Sequence, residues 1–148
     1  DRIPVESDCR PLNSLIAAML AVCPEVHCLR DATRGGVATV LNEFAQDSEV
    51  CICLWEQQIP IREVVQGVCE ILGLDPLYLA NEGTLVAVVP PDQTEVVLSA
   101  MRSHPAGKHS CQIGVVSESP KNRVILQTAF GGERVVDLLY GEQLPRIC

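Results

Sequence analysis

An alternation of two hydrophobic patterns constrains the fold of this chain more than any other feature. Segments whose apolar residues recur every three or four positions, as in an amphipathic helix, alternate with short apolar runs typical of buried strands. The order that these patterns predict is α-β-α-β-α-β-α-β-β-β, without an internal repeat or a low-complexity linker. Alternation followed by a run of strands predicts one layered domain of the α+β or mixed α/β class.

Boundary signals refine this prediction. The predicted helices are 7–23, capped by Ser7 or Asp8; 36–46; 60–73, with Ile61, Val64, Val65, Val68 and Leu72 facing inward and Gly73 ending it; and 92–104, capped by Asp92. The predicted strands are 25–30, 49–55, 84–91, 110–119 and 122–130, followed by a short strand after Gly132. The strands 110–119 and 122–130 are predicted to form a hairpin around residues 118–122.

Charge and hydropathy exclude several classes of protein. The net charge of -8 disfavours a general nucleic-acid surface, which needs a stripe of basic residues. No apolar run reaches the ~18 residues of a membrane-spanning helix, and the start of the chain lacks a secretion signal. Because the sequence also lacks an initiator Met, we expect it to be a piece of a longer protein.

Eight cysteines are present, mostly inside apolar runs, where a thiol packs as a small hydrophobic group. This pattern favours reduced thiols and a cytoplasmic location over a disulfide framework. A zinc site built from Cys23, His27, Cys28, Cys51 and Cys53 is a weaker alternative, because structural zinc usually shows two tight ligand pairs. His104 and His109 flank a loop and are expected to be solvated.

The stretch RDATRGG, residues 30–36, lies between a predicted strand end and a predicted helix start. Gly35 and Gly36 allow close approach of backbone N–H groups to a ligand, and the start of the helix favours an anion. Asp31 is expected to hold Arg34, whose guanidinium can bind a phosphate or carboxylate. The alternative is an ordinary strand-to-helix turn with a surface ion pair.

The stretch ANEGTL, residues 80–85, precedes a buried strand. Glu82 in this position is a candidate general base, with Asn81 beside it and Gly83 allowing a sharp turn. An ordinary turn is the alternative, since Asn, Glu and Gly are all common in loops.

The last residues read GEQLPRIC. Pro145 disfavours helix and biases Leu144 to an extended conformation, so the segment 141–148 is predicted to be a mobile tail. Cys148 is then either a reactive thiol that swings between sites or an incidental cysteine.

Together, SDCRPL, RDATRGGVATVLNEFA, GLDPLYLANEGTLVAVV and TAFGGERVVDLLYGEQLPRIC resemble the C-terminal domain of the HypE family of hydrogenase maturation factors. The D-x-T-R-G-G stretch is shared with relatives such as aminoimidazole ribonucleotide synthetase (PurM), whereas the terminal PRIC is specific to HypE. The resemblance implies a three-layer α/β/α domain with a mixed sheet over residues 1–140, without the N-terminal ATP-binding domain.

The implied activity is an ATP-dependent carbamoyl dehydratase that makes the cyanide ligand of [NiFe] hydrogenase. By this resemblance Cys148 carries the carbamoyl group and Glu82 is the base, while the phosphate side of the cleft is formed by Asp31, Thr33, Arg34, Gly35, Gly36 and Asn81. ATP and Mg²⁺ are implied for the full-length protein, with no cofactor expected in this piece. The implied partners are a HypF-type carbamoyltransferase, the HypC–HypD complex and a second copy of the full-length protein. A non-catalytic docking module and another synthetase or kinase of the superfamily are the alternatives.

Overall fold

Helices and strands follow one another in the predicted order. The structure, a computed structural model, describes residue 7 and residues 9–138. The helices are α1 Asn13–Val22, α2 Gly36–Asp47, α3 Glu63–Leu72 and α4 Thr94–Ser103. The strands are β1 Cys28–Asp31, β2 Cys51–Trp55, β3 Leu85–Val88, β4 Gly114–Ser117, β5 Arg123–Gln127 and β6 Glu133–Val135. Short 3-10 turns cover Glu56–Gln58, Pro76–Tyr78, Pro91–Gln93 and Pro105–Gly107.

The strands form a two-stranded antiparallel sheet, β1-β3, and a four-stranded mixed sheet of order β4-β2-β5-β6. The predicted hairpin is therefore wrong, because β4 and β5 lie on opposite sides of β2 instead of pairing with each other. β4 runs antiparallel to β2, whereas β5 runs parallel to it. Three of the five β2 residues, Cys51, Ile52 and Leu54, are buried, so the central place in the sheet keeps the most apolar strand away from water.

Two cores stabilise the domain. In the larger one, the buried face of α2 (Ala38, Leu41 and Ala45) packs with side chains of the mixed sheet, including Leu54 and Leu126. In the smaller one, Met19 and Cys23 from the first helical region pack with Val97 of α4. Because α2 lies on the mixed sheet, the larger core fixes the position of its first residue, Gly36, and of Gly35 directly before it.

Two helix starts differ from prediction because proline precedes each helix. α1 begins at Asn13 without a side-chain cap, and the Ser7 hydroxyl accepts a 3.2 Å bond from the amide of Cys9 instead. Pro11 disfavours helical backbone at the residue before it, so the helix cannot extend to Ser7. Asp8 lies outside the described residues. Asp92 falls in the 3-10 turn that begins at Pro91, and α4 begins after it without a side-chain cap.

α3 ends at Gly73, as predicted, with left-handed backbone at φ 68°. The predicted inward face is wrong at two positions, since Val68 and Leu72 are 51% and 61% exposed, and Ile71 is 85% exposed. Cys69 is the buried residue of this helix. Among the described residues, α3 packs mainly on the turn Pro76–Tyr78, which is too short to cover its apolar side.

Candidate functional site

The two segments singled out in the sequence lie next to each other. The backbone N–H of Ala32 donates to the carbonyl of Thr84 at 3.0 Å, and its own carbonyl accepts from the N–H of Asn81 at 3.0 Å. These bonds continue the β1-β3 ladder, in which Asp31 is paired with Leu85. The antiparallel register therefore brings RDATRGG and ANEGTL to the same end of the two-stranded sheet.

Asp31 and Arg34 do not form the predicted ion pair. Among the described residues, the ion pairs are Arg30–Glu43, Lys121–Glu49 and Arg134–Asp75. Asp31 is the last residue of β1, so the strand fixes its direction, while Arg34 belongs to the following turn. Both side chains are exposed, which leaves the Arg34 guanidinium accessible to an anion.

The glycine pair forms the entry to α2. Gly35 and Gly36 have φ values of 69° and 64°, in the left-handed region that favours glycine. A Cβ on Gly35 would lie 2.1 Å from the Thr39 hydroxyl oxygen, which itself donates to the Gly35 carbonyl at 3.0 Å. The chain therefore turns sharply onto a helix N-terminus, where the helix dipole favours negative charge. Thr33 closes the turn by accepting a 3.4 Å bond from the Gly36 N–H.

Asn81 fixes the loop that presents Glu82. Its side-chain oxygen accepts a 3.1 Å bond from the N–H of Gly83, a tight turn in which Asx side chains are common. Glu82 is exposed, and it directly follows Asn81, whose backbone N–H bonds to Ala32 of the RDATRGG turn. A carboxylate on a loop that is held at both ends can act as a base toward a group brought to this surface.

A second set of contacts near this site is absent from the sequence-based predictions. Asp75 accepts from the Leu77 N–H at 2.9 Å and pairs with Arg134 at 2.6 Å, which joins the 3-10 turn to β6. The Tyr78 hydroxyl donates a 2.8 Å bond to the carbonyl of Asp137. Burial, and then the nearby Asp75 carboxylate, raise the pKa of Tyr78, so its hydroxyl stays protonated and remains a donor. The D-P-L-Y sequence signals a turn but not these long-range partners.

An open cleft of about 650 Å³ lies elsewhere, at the carboxyl ends of the parallel strands β2 and β5. Trp55, Arg102 and Cys111 are among its lining residues, whereas none of the predicted site residues that the structure describes lines it. The Cys111 thiol donates to the carbonyl of Gln58 at 3.2 Å. Burial raises the pKa of Cys111, although the Arg102 guanidinium opposes this effect, so the thiol is a weak nucleophile at neutral pH.

No group of three or more His, Cys, Asp or Glu side chains in the described part of the chain is placed to hold a metal ion. The sulfurs of Cys51 and Cys53 are 3.8 Å apart, as strand alternation predicts, without the further ligands of a zinc site. Within the same residues, no helix is long and apolar enough to cross a membrane. Cys148 and the predicted tail 141–148 lie outside the described residues.

Comparison with known proteins gives consistent matches. A family model, "AIR synthase related protein, C-terminal domain", matches residues 2–127. The chain is 53% identical over 144 residues to the carbamoyl dehydratase HypE of Azotobacter vinelandii, which covers 97% of this chain and 42% of the relative. A solved structure of hydrogenase maturation protein HypE in complex with ATP matches with TM-score 0.89 and 42% identity over 96% of this chain and 44% of that one. A solved structure of a HypE–HypF complex matches with TM-score 0.87 and 42% identity. That match covers 93% of this chain and 44% of the chain in the complex.

The sequence thus spans about two-fifths of the length of the curated relative it matches. The α+β class with a mixed sheet and the resemblance to HypE are both confirmed. The match to the family model extends over most of the chain and contains RDATRGG and ANEGTL. This chain belongs to the family of the AIR synthase related protein C-terminal domain.

Proposed function

We propose that this chain is the C-terminal part of an ATP-dependent carbamoyl dehydratase that acts in the assembly of the [NiFe]-hydrogenase iron centre. The proposal divides the chain into a domain, 1–140, and a tail, 141–148, that carries the acceptor thiol. The observation that carries it is the pair of Ala32 hydrogen bonds, which unites the anion-binding turn with the loop of Glu82. The 53% identity to a relative named carbamoyl dehydratase supports the same activity.

Cys148 is the proposed carrier. Its sulfur receives a carbamoyl group and becomes the thiocarbamate –S–C(=O)–NH2. Conversion to the thiocyanate –S–C≡N removes the oxygen atom and both nitrogen protons. ATP phosphorylates the carbonyl oxygen, so that oxygen leaves as inorganic phosphate and the other product is ADP. The reaction balances without an oxidant or reductant.

Glu82 is the proposed base for the nitrogen protons. Support comes from its exposure and from its loop, which Asn81 fixes and whose backbone bonds to Ala32 of the RDATRGG turn. Arg34, the Thr33 region and the backbone of Gly35 and Gly36 form the phosphate side, since the start of α2 offers a positive potential there. Asp31 borders this turn from the end of β1. A thiocarbamate brought between the two segments meets a base on one side and an anion-binding turn on the other.

ATP and Mg²⁺ are proposed for the full-length protein, with the nucleotide held mainly outside this chain. A solved relative binds ATP, and another forms a complex with HypF. We infer the same carbamoyltransferase partner here, together with HypC–HypD as acceptor and a second copy of the full-length protein. A cytoplasmic location fits the absence of a disulfide among the described cysteines Cys23, Cys28, Cys51, Cys53, Cys69 and Cys111.

The test uses a polypeptide of the relatives' full length that contains this chain. Glu82→Gln removes the base and keeps the size of the side chain, so Cys148 should still accept the carbamoyl group but release thiocyanate at least tenfold more slowly. Glu118→Gln is the matched control, because Glu118 is exposed and remote in sequence from both segments. Thiocyanate formation at the normal rate in Glu82→Gln rules Glu82 out as the base.

A docking module is the second candidate function. The exposed apolar side chains of α3, Val68, Ile71 and Leu72, favour it, since such patches often mark interaction sites. Ile71→Lys should reduce capture of HypF or HypC–HypD, whereas Glu70→Gln on the same helix should not. Equal capture by both variants and the unmodified chain contradicts a docking role for this face.

A further inference from the structure

We propose that Tyr78 and Asn42 are positioning residues that hold the base of the segment carrying Cys148 beside the candidate site. This inference rests on the proposed function and extends it. Tyr78 and Asn42 fix the point at which the carrier segment starts, and neither of them contacts the reacting atoms in this proposal. The segment's described base is Val136 to Leu138, directly after β6.

Asn42 is the buried polar residue of the described chain, with 5% of its surface exposed. It lies in the middle of α2, where a hydrophobic residue would ordinarily face the sheet. Its side-chain nitrogen donates to the Ala38 carbonyl at 2.9 Å and to the Val136 carbonyl at 2.8 Å. An amide buried in a core is unfavourable unless it is hydrogen-bonded, so this residue specifies where Val136 must lie.

The residue after Val136, Asp137, is bound by a side chain from a different element, the turn Pro76–Tyr78. The Tyr78 hydroxyl donates to the Asp137 carbonyl at 2.8 Å, and the Val136 N–H donates to the Val124 carbonyl at 2.8 Å. Val136 itself is fully buried. Two successive carbonyls after β6 are therefore bound by side chains from two different elements, α2 and the turn Pro76–Tyr78.

Both elements also build the candidate site. Gly36, at the start of α2, packs so closely on the turn that an added Cβ would lie 2.9 Å from the Tyr78 carbonyl carbon and 2.6 Å from the Leu79 oxygen. Two residues after Leu79, Asn81 bonds to Ala32. Tyr78 therefore links the two places: its hydroxyl binds Asp137 at the base of the carrier segment, and its backbone packs on Gly36 at the candidate site.

The consequence concerns effective concentration. Ten residues follow Leu138 up to Cys148, and a chain of this length spans at most about 33–36 Å. The concentration of a tethered group at its target depends on where the tether starts and on its length. Loss of the Tyr78 or Asn42 bond would lengthen the tether and let its origin move away from the site.

Tyr78→Phe tests this inference in a polypeptide of the relatives' full length. The ring is kept and only the hydroxyl is lost, so the domain should still fold. The rate of thiocyanate formation on Cys148 in a single turnover should fall about two- to tenfold, the factor that corresponds to one net hydrogen bond. The KM for ATP should not change. Ser103→Ala, which removes a hydroxyl-to-carbonyl bond within α4, is the matched control.

A second measurement separates positioning from general damage. A synthetic peptide, LYGEQLPRIC, carrying an S-carbamoyl group on its cysteine, is supplied at saturating concentration to the Cys148→Ala protein with and without Tyr78→Phe. Equal peptide turnover in both, with slower turnover of the attached segment, supports the inference. An unchanged rate on the attached segment overturns it, as does an equal loss with peptide and attached segment. If the unmodified protein forms no thiocyanate at all, the proposed function fails first.

Discussion

The backbone of Gly36 lies directly against the carbonyl oxygen of Leu77: a Cβ added to Gly36 would be 2.5 Å from that oxygen. This contact joins the start of α2 to the turn that precedes Asn81 and Glu82. Glycine is therefore required for packing between two backbone segments, in addition to any role toward a ligand. The relative placement of the two halves of the candidate site depends on this contact.

Gly36→Ala should destabilise the domain by about 2–4 kcal/mol, since it combines left-handed backbone at φ 64° with a clash against main-chain atoms that cannot rotate away. Gly67→Ala is the control, because that glycine is inside α3 and its Cβ would meet nothing within 4 Å. The control should be neutral or stabilising by up to about 1 kcal/mol. Denaturant unfolding of both variants measures the difference, and similar stabilities would contradict the packing argument.

Asn42→Ala should lower the free energy of unfolding by about 1–3 kcal/mol, because the buried Val136 carbonyl loses the Asn42 donor. Asn13→Ala, at the exposed first residue of α1, should change stability by less than about 0.5 kcal/mol. Chemical denaturation of the two variants provides the comparison. A stability loss at Asn42 no larger than that at Asn13 would show that the buried amide contributes little.

Stability should decline at alkaline pH. Burial raises the pKa of Cys51 and Cys69 above the usual thiol value of 9.0. Below that value these thiols are protonated in both states; above it they ionise first in the unfolded chain, so the free energy of unfolding falls as pH rises. Each thiol contributes a slope of at most about 1.4 kcal/mol per pH unit. Cys51→Ala should flatten the slope above pH 9, and an unchanged slope would contradict the assignment.

Thiol labelling of the folded chain should be uneven. Among the described cysteines, Cys9 is exposed and should react with a maleimide first, while Cys23 and Cys51, with at most 2% of their surface exposed, should react at least a hundredfold more slowly. Peptide mapping at short times measures the order, and labelling in denaturant provides the reference in which all react. Equal rates in the folded chain would contradict the described burial.

Apolar periodicity and glycine signals sufficed to predict the element order and the glycine end of α3, whereas a common cleft for the two site segments was implied only by the resemblance to a family. These signals failed where strand pairing or the burial of a helix face depends on residues far apart in the sequence. The sequence predicted a β4-β5 hairpin, but β2 lies between these two strands. This arrangement depends on which strand buries the most apolar surface, and the residues of a local turn cannot reveal that. The apolar pattern of α3 likewise predicted a buried face, but no described element covers Val68, Ile71 or Leu72.

The candidate site shows the same division. Its two segments, RDATRGG and ANEGTL, could be recognised in the sequence because a glycine pair and an Asn-Glu-Gly stretch each favour a turn through their own backbone and side chains. The hydrogen bond from Tyr78 to Asp137 spans 59 positions, and that from Asn42 to Val136 spans 94. Neither has a local sequence signal, since tyrosine and asparagine in these contexts are equally consistent with an ordinary loop and an exposed helix position.

Peptide mass spectrometry of Cys148 is the most direct measurement of the proposed activity. A polypeptide of the relatives' full length that contains this chain is incubated with the carbamoyl donor system, with and without ATP. We predict a carbamoyl adduct on Cys148 that loses one water only when ATP is present. An unmodified Cys148, or an adduct that never loses water with ATP, would contradict the account.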